Sequence, residues 1–107
     1  MSKNGWIGVD FDGTLVTYDG WKGSTHIGEP IWPMINRVKD WLAEGKSVKI
    51  FTARAKDPVA IREIWLWSLF HFDKVLEVTN EKDYQMIELW DDRVVKVERN
   101  TGKILES

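Results

Sequence analysis

Trp6-Ile7-Gly8-Val9-Asp10-Phe11-Asp12-Gly13-Thr14 is the stretch on which the reading of this chain turns. Trp6–Val9 is a short apolar run that ends in polar residues, the pattern of a buried strand. Asp10 and Asp12 then stand where that strand gives way to a loop. Open α/β sheets bind ligands in that place, outside the carboxyl ends of their strands. Two carboxylates there can hold a hard cation. One can also attack an electrophile while the other handles the proton. Asp91-Asp92 again directly follows an apolar run and can complete such a site.

Outward from this stretch the pattern alternates strand and helix. Strands are expected at about Gly5–Asp10, Lys46–Thr52, Val75–Thr79 and Met86–Trp90. Pro33 opens a helix whose apolar residues Met34, Ile35, Val38, Trp41 and Leu42 share one face. Arg37, Lys39, Asp40 and Glu44 take the other face, and Gly45 suits a left-handed stop. Asp57 can cap a second helix, about Pro58–Phe70, with Pro58 at its first position. That helix is apolar on more than one side. Val94–Val97 reads as a fifth strand or a short helix, its β-branched content favouring strand. Lys103–Leu105 is placed to pair back after the turn Asn100-Thr101-Gly102. Strand–helix alternation implies a mainly parallel sheet with right-handed crossovers. Asp10, Thr52 and Asp91 then each fall at the carboxyl end of a different strand.

The chain has 107 residues, which points to a single domain spanning 1–107 with one modest core. Seven tryptophans can supply much of that core. A net charge of −2 argues against a generic nucleic-acid-binding surface. Cysteine is absent, which removes disulfide and thiolate chemistry. No signal-peptide pattern and no membrane-length apolar run is visible, so the expectation is a soluble, cytoplasmic protein without a membrane partner.

Four segments in chain order carry a family resemblance. Asp10-Phe11-Asp12-Gly13-Thr14 resembles the first motif of the haloacid-dehalogenase-like superfamily, most of whose members are magnesium-dependent phosphohydrolases. Ile50-Phe51-Thr52-Ala53-Arg54 looks like the second motif, an apolar strand ending in Thr or Ser. Lys82 suits the lysine of the third, with Lys74 also near. Leu89-Trp90-Asp91-Asp92-Arg93 is similar to the fourth. The resemblance implies an α/β, three-layer Rossmann-like (HAD-like) fold with no cap domain, because Leu15–Glu29 leaves room only for a short squiggle and flap hairpin at about 13–30. It implies Mg²⁺ as cofactor, held by Asp10, Asp12 (through its carbonyl) and Asp91 or Asp92. Asp10 would be the nucleophile that forms an aspartyl-phosphate, and Asp12 the general acid and base. Thr52 would hydrogen-bond a phosphate oxygen, and Lys82 would offset phosphoryl charge. Gly13 and Thr14 sit where backbone N–H groups approach phosphate.

The implied substrate is a phosphorylated small molecule or nucleic-acid end. An open, capless site admits bulky substrates. Trp21 and Lys22 fall at the expected flap tip, where an aromatic beside a cation can stack on a base and steady a phosphate. Arg54 and Arg93 each follow a motif directly and can hold a second phosphate at the mouth. Trp21, Trp32, Trp65 and Trp67 are compatible with an aromatic interface in a homo-oligomer. A catalytically silent phosphate- or metal-binding module and a phosphotransferase are the alternatives. Other signatures fail. Gly45-Lys46-Ser47 lacks the earlier glycine of a P-loop, and an EF-hand starting at Asp10 would place Trp21 where its glutamate belongs. His26, in the long loop, is a candidate substrate contact, and His71 a structural residue.

Overall fold

β1 (Trp6–Val9), β2 (Ser47–Phe51), β3 (Glu77–Thr79) and β4 (Met86–Trp90) pair in the order β3-β2-β1-β4, all parallel, in a computed structural model that describes residues 5–105. α1 (Trp32–Ala43) joins β1 to β2. α2 (Pro58–Phe72) joins β2 to β3, after a 3₁₀ turn at Ala53–Lys56. β1 is central and buried along its whole length, as its unbroken apolar run requires.

The sheet register shows which side chains share a face. Ile7 pairs with Val48, Val9 with Ile50, Ile50 with Val78, and Val9 with Trp90. These residues point one way and join Met34, Ile35, Val38 and Trp41 of α1, with Ile64 and Trp67 of α2, in one core cluster. Both helices therefore lie on the same face. The topology explains it. Two successive right-handed crossovers that step in the same direction put their helices on one side. The return step from β3 to β4, on the far side of β1, spans only residues 80–85 and has no helix. The expected third layer is thus absent among the described residues. Trp6, Gly8, Lys49 and Leu89 form the other face. There the Lys49 ammonium stands 4.4 Å from the Trp6 ring centroid, and Trp6 Nε1 donates to Asp83 at 2.8 Å.

Local signals hold at the helix ends. Pro33 lies in the first turn of α1, and Gly45 follows its end at φ +83°. Asp57 caps α2 by accepting from the Val59 N–H at 3.0 Å. α2 runs two residues beyond its expected end and stops at Asp73, φ +59°. Its apolar surplus divides. Trp67 packs edge-on against Phe11 with centroids 5.1 Å apart, while Leu66, Leu69 and Phe70 stay exposed. Of the tryptophans expected at an interface, Trp21, Trp32 and Trp65 are exposed, and Trp67 is partly buried against the core.

The expected fifth strand at Val94–Val97 does not form. Val97 makes a single antiparallel bridge to Ile104, flanked by hydrogen bonds from Glu98 N to Lys103 O (2.7 Å) and from Leu105 N to Lys96 O (2.9 Å). The turn at Asp91–Arg93 leads the chain away from the sheet, so Val94, Val95 and Val97 find no apolar surface and remain exposed. Lys103–Leu105 does pair back, on this stub alone. No helix among the described residues is long and apolar enough to cross a membrane.

Candidate active site

The site grows from the ends of parallel strands. Asp10 directly follows β1, and its N–H donates to Trp90 O at 2.8 Å, which fixes it beside the end of β4. Thr52 directly follows β2, and its N–H donates to Thr79 O at 2.9 Å. Asp91 and Asp92 directly follow β4. Adjacent parallel strands end side by side, so residues distant in sequence arrive at one rim. They line a cleft of about 690 Å³ with Asp12, Tyr18, Trp21, Phe51, Ala53, Arg54, Lys56 and Arg93.

Asp10, Asp91 and Asp92 each place a carboxylate oxygen within 4.8 Å of the others. Asp10 is pushed up to about 7, first by burial, then by the charge of Asp91 and by contact with Asp92. Three carboxylates this close, with Asp10 and Asp91 half-buried, form an oxygen-donor set that could hold a hard divalent cation. Asp12 is not part of that trio. Its carboxylate is held in a two-pronged pair, Arg54 Nε to Oδ2 and Arg54 Nη2 to Oδ1, both at 2.8 Å.

The loop after Asp10 is built to return quickly. The N–H groups of Thr14, Leu15 and Val16 all donate to Phe11 O, and Gly13 N donates to Val16 O at 2.7 Å. Gly13 has φ +89°, and a Cβ there would stand 2.6 Å from Asp92 Oδ2, so only glycine lets Asp92 close over the loop. Thr14 shares a hydrogen-bond pair with Asp92, its Oγ1 donating to Oδ1 and accepting from the Asp92 N–H, both at 3.2 Å. Residues 13–30 then fold back through a Val16–Pro30 bridge and the bond from Thr17 N to Glu29 O. Ser24 donates to Asp57, tying this flap to the α2 cap.

The remaining expected site residues divide. Trp21 lines the cleft and lies 5.0 Å from the Arg54 Cζ. Lys22 is outside the lining and pairs with Asp19 at 3.0 Å in the open. Arg93 lines the mouth and is exposed. Arg54, expected at the mouth, is instead buried. Lys82 is not brought to the cleft. It is exposed in the helix-free connection before β4, next to Asp83, which anchors Trp6 at the start of β1. His26 is exposed and outside the lining, while His71 packs at a tilt against Trp67, centroids 4.6 Å apart.

Tyr18 and Lys56 line the cleft without having been singled out in sequence. The basic run Arg54-Ala55-Lys56 after Thr52 was the available signal for Lys56. No local pattern marks Tyr18. No family model, no curated protein and no solved structure matches the chain.

Proposed function

We propose that the protein is a magnesium-dependent phosphomonoester hydrolase of the haloacid-dehalogenase-like type. The observation that carries this reading is the meeting of Asp10, Thr52 and Asp91-Asp92, from the ends of three different parallel strands, around one cleft. Asp10, Asp91 and Asp92 would hold Mg²⁺. When bound, the ion supplies neutralisation of the charge shared by the carboxylates and the phosphoryl oxygens.

In this reading an Asp10 carboxylate oxygen attacks phosphorus. The bond to the ester oxygen breaks, and that oxygen takes a proton from Asp12. Asp12, now a carboxylate, takes a proton from the water that attacks the aspartyl-phosphate. Phosphate then leaves, and Asp10 and Asp12 return to their first states. When Asp12 carries its proton, its carbonyl oxygen can still accept from Arg54 while the O–H faces the leaving oxygen. Thr52 Oγ1 accepts the Arg54 N–H at 3.1 Å, so its own proton is free for a phosphoryl oxygen. Exposed Trp21, with Lys56 and Arg93 in the same lining, favours substrates that put a flat ring and further negative charge near the phosphate. Nucleotides and nucleic-acid ends are such substrates.

The test is release of phosphate from an aryl phosphate with Mg²⁺ and with chelator, beside Asp10→Asn. Mg²⁺-dependent release by the wild type, abolished in a folded Asp10→Asn variant, is the expected result. The tight Asp12–Arg54 pair favours one second reading, a phosphate-binding module without turnover. Phosphate binding without release, across aryl phosphates, nucleotides and 3′-phosphorylated oligonucleotides, would select it.

A further inference from the structure

Arg54 is the only buried ion among the described residues, and it is incompletely used. Nε and Nη2 both serve Asp12. Because the guanidinium is planar, that pairing turns Nη1 away from Asp12. Nη1 is sealed from solvent and has no hydrogen-bond partner among the described residues. The rings of Phe11 and Trp21 lie 5.5 and 5.0 Å from its Cζ. A buried donor without an acceptor is rare and costly, and its presence in a cleft wall calls for a ligand acceptor. Thr52, bonded to the Arg54 backbone, offers its hydroxyl proton to the same cleft. Lys82, the cation that the motif resemblance would use, lies outside this lining.

We propose that Arg54 is the anion receptor of the cleft, its Nη1 taking a phosphoryl oxygen in the charge-offsetting place that the resemblance gives to Lys82. The identity of the anion rests on the phosphatase reading. One rigid plane then links ligand to Asp12, since the group that grips the phosphoryl oxygen is the one that aims the carboxyl. Trp21 stands between Gly20 and Gly23, at φ +124° and +106°, and a Cβ at either glycine would meet no atom within 4 Å.

The experiment is calorimetric titration of inorganic phosphate into wild type, Arg54→Lys, Arg54→Ala and Lys82→Ala, with Mg²⁺, each checked for folding by circular dichroism. Arg54→Lys and Arg54→Ala should bind phosphate about tenfold more weakly or worse, the worth of one charge-assisted hydrogen bond. Millimolar guanidinium should restore binding to folded Arg54→Ala. Lys82→Ala should bind as the wild type does. Wild-type affinity in both Arg54 variants, loss of binding in Lys82→Ala, or no binding by the wild type would overturn the proposal. Phosphate release from phenyl phosphate is followed in parallel. Arg54-dependent binding without release would leave the receptor standing and reject the phosphatase. Release with an unchanged KM in Arg54→Lys would do the reverse.

Discussion

Asp10 carries a consequence for pH. Its folded-state pKa is raised from 3.8 to about 7, chiefly by burial and by Asp91. A carboxyl whose folded pKa exceeds its unfolded value holds its proton more tightly when folded, so its contribution to stability is greatest below the unfolded pKa. That contribution is lost as pH rises through the window from 3.8 to about 7. Thermal melts of the metal-free protein should therefore show this site becoming a liability as pH rises from 3.8 to about 7. Mg²⁺ should raise the melting temperature more at pH 8 than at pH 5, because binding needs the deprotonated carboxylate. Asp10→Asn should flatten the pH dependence and remove most of the Mg²⁺ effect. A Mg²⁺ shift equal at both pH values would contradict the assignment of Asp10 as a ligand. Gly13→Ala tests the neighbouring contact. A Cβ 2.6 Å from Asp92 Oδ2, at φ +89°, should weaken Mg²⁺ binding measured by titration while leaving far-UV dichroism unchanged.

At the scale of elements, the flap and α2 are fastened at one residue. Asp57 caps the helix and accepts from Ser24, and the Ser24 bond holds its pKa below the usual carboxylate value. Such a group adds stability above its unfolded pKa that is lost as pH falls. Asp57→Ala should lower the melting temperature at pH 7, and the gap to wild type should shrink toward pH 3. Gly28→Ala probes the other side of the flap. Its Cβ would overlap the Thr17 carbonyl oxygen, which cannot retreat as a side chain could. Urea unfolding should show a loss of about 1–3 kcal/mol, typical of overpacking.

Elements were legible in the sequence where one residue acts on its own backbone. Pro33, Gly45 and Asp57 marked helix ends correctly because capping and left-handed turns are local. The C-terminal element was not, because β-branched content at Val94–Val97 reports strand preference and says nothing of whether a sheet edge is within reach. Arg54 shows the same limit in the site. Its place after the motif was readable, but the pair with Asp12 depends on how the 3₁₀ turn at Ala53–Lys56 meets the loop after β1.

For the whole molecule, strand alternation foretold a parallel sheet but not its layers. Layer number depends on the β3–β4 return, and residues 80–85 hold no helix to cover the second face. Trp6 does much of that covering. It is 3% exposed, lies under Lys49 and reaches Asp83. Trp6→Ala should cost about 3–5 kcal/mol in urea unfolding, as a large buried aromatic does. Trp6→Phe should cost clearly less, since it gives up the Asp83 bond and keeps most of the ring. Equal losses in the two variants would mean that the hydrogen bond, and not the covering, is what matters.

β1 lies between β2, its near neighbour in sequence, and β4, which comes from the far end of the chain. Loop-closure entropy opposes pairing over such separations until the contacts form, which makes it slow. Asp91 and Asp92 meet Asp10 only when β4 docks beside β1, so the trio depends on that pairing. On the phosphatase reading, phosphate release regained after dilution from urea should lag behind recovery of helical dichroism and coincide with the final kinetic phase. The cleft would then serve as a clock hand for completion of the sheet.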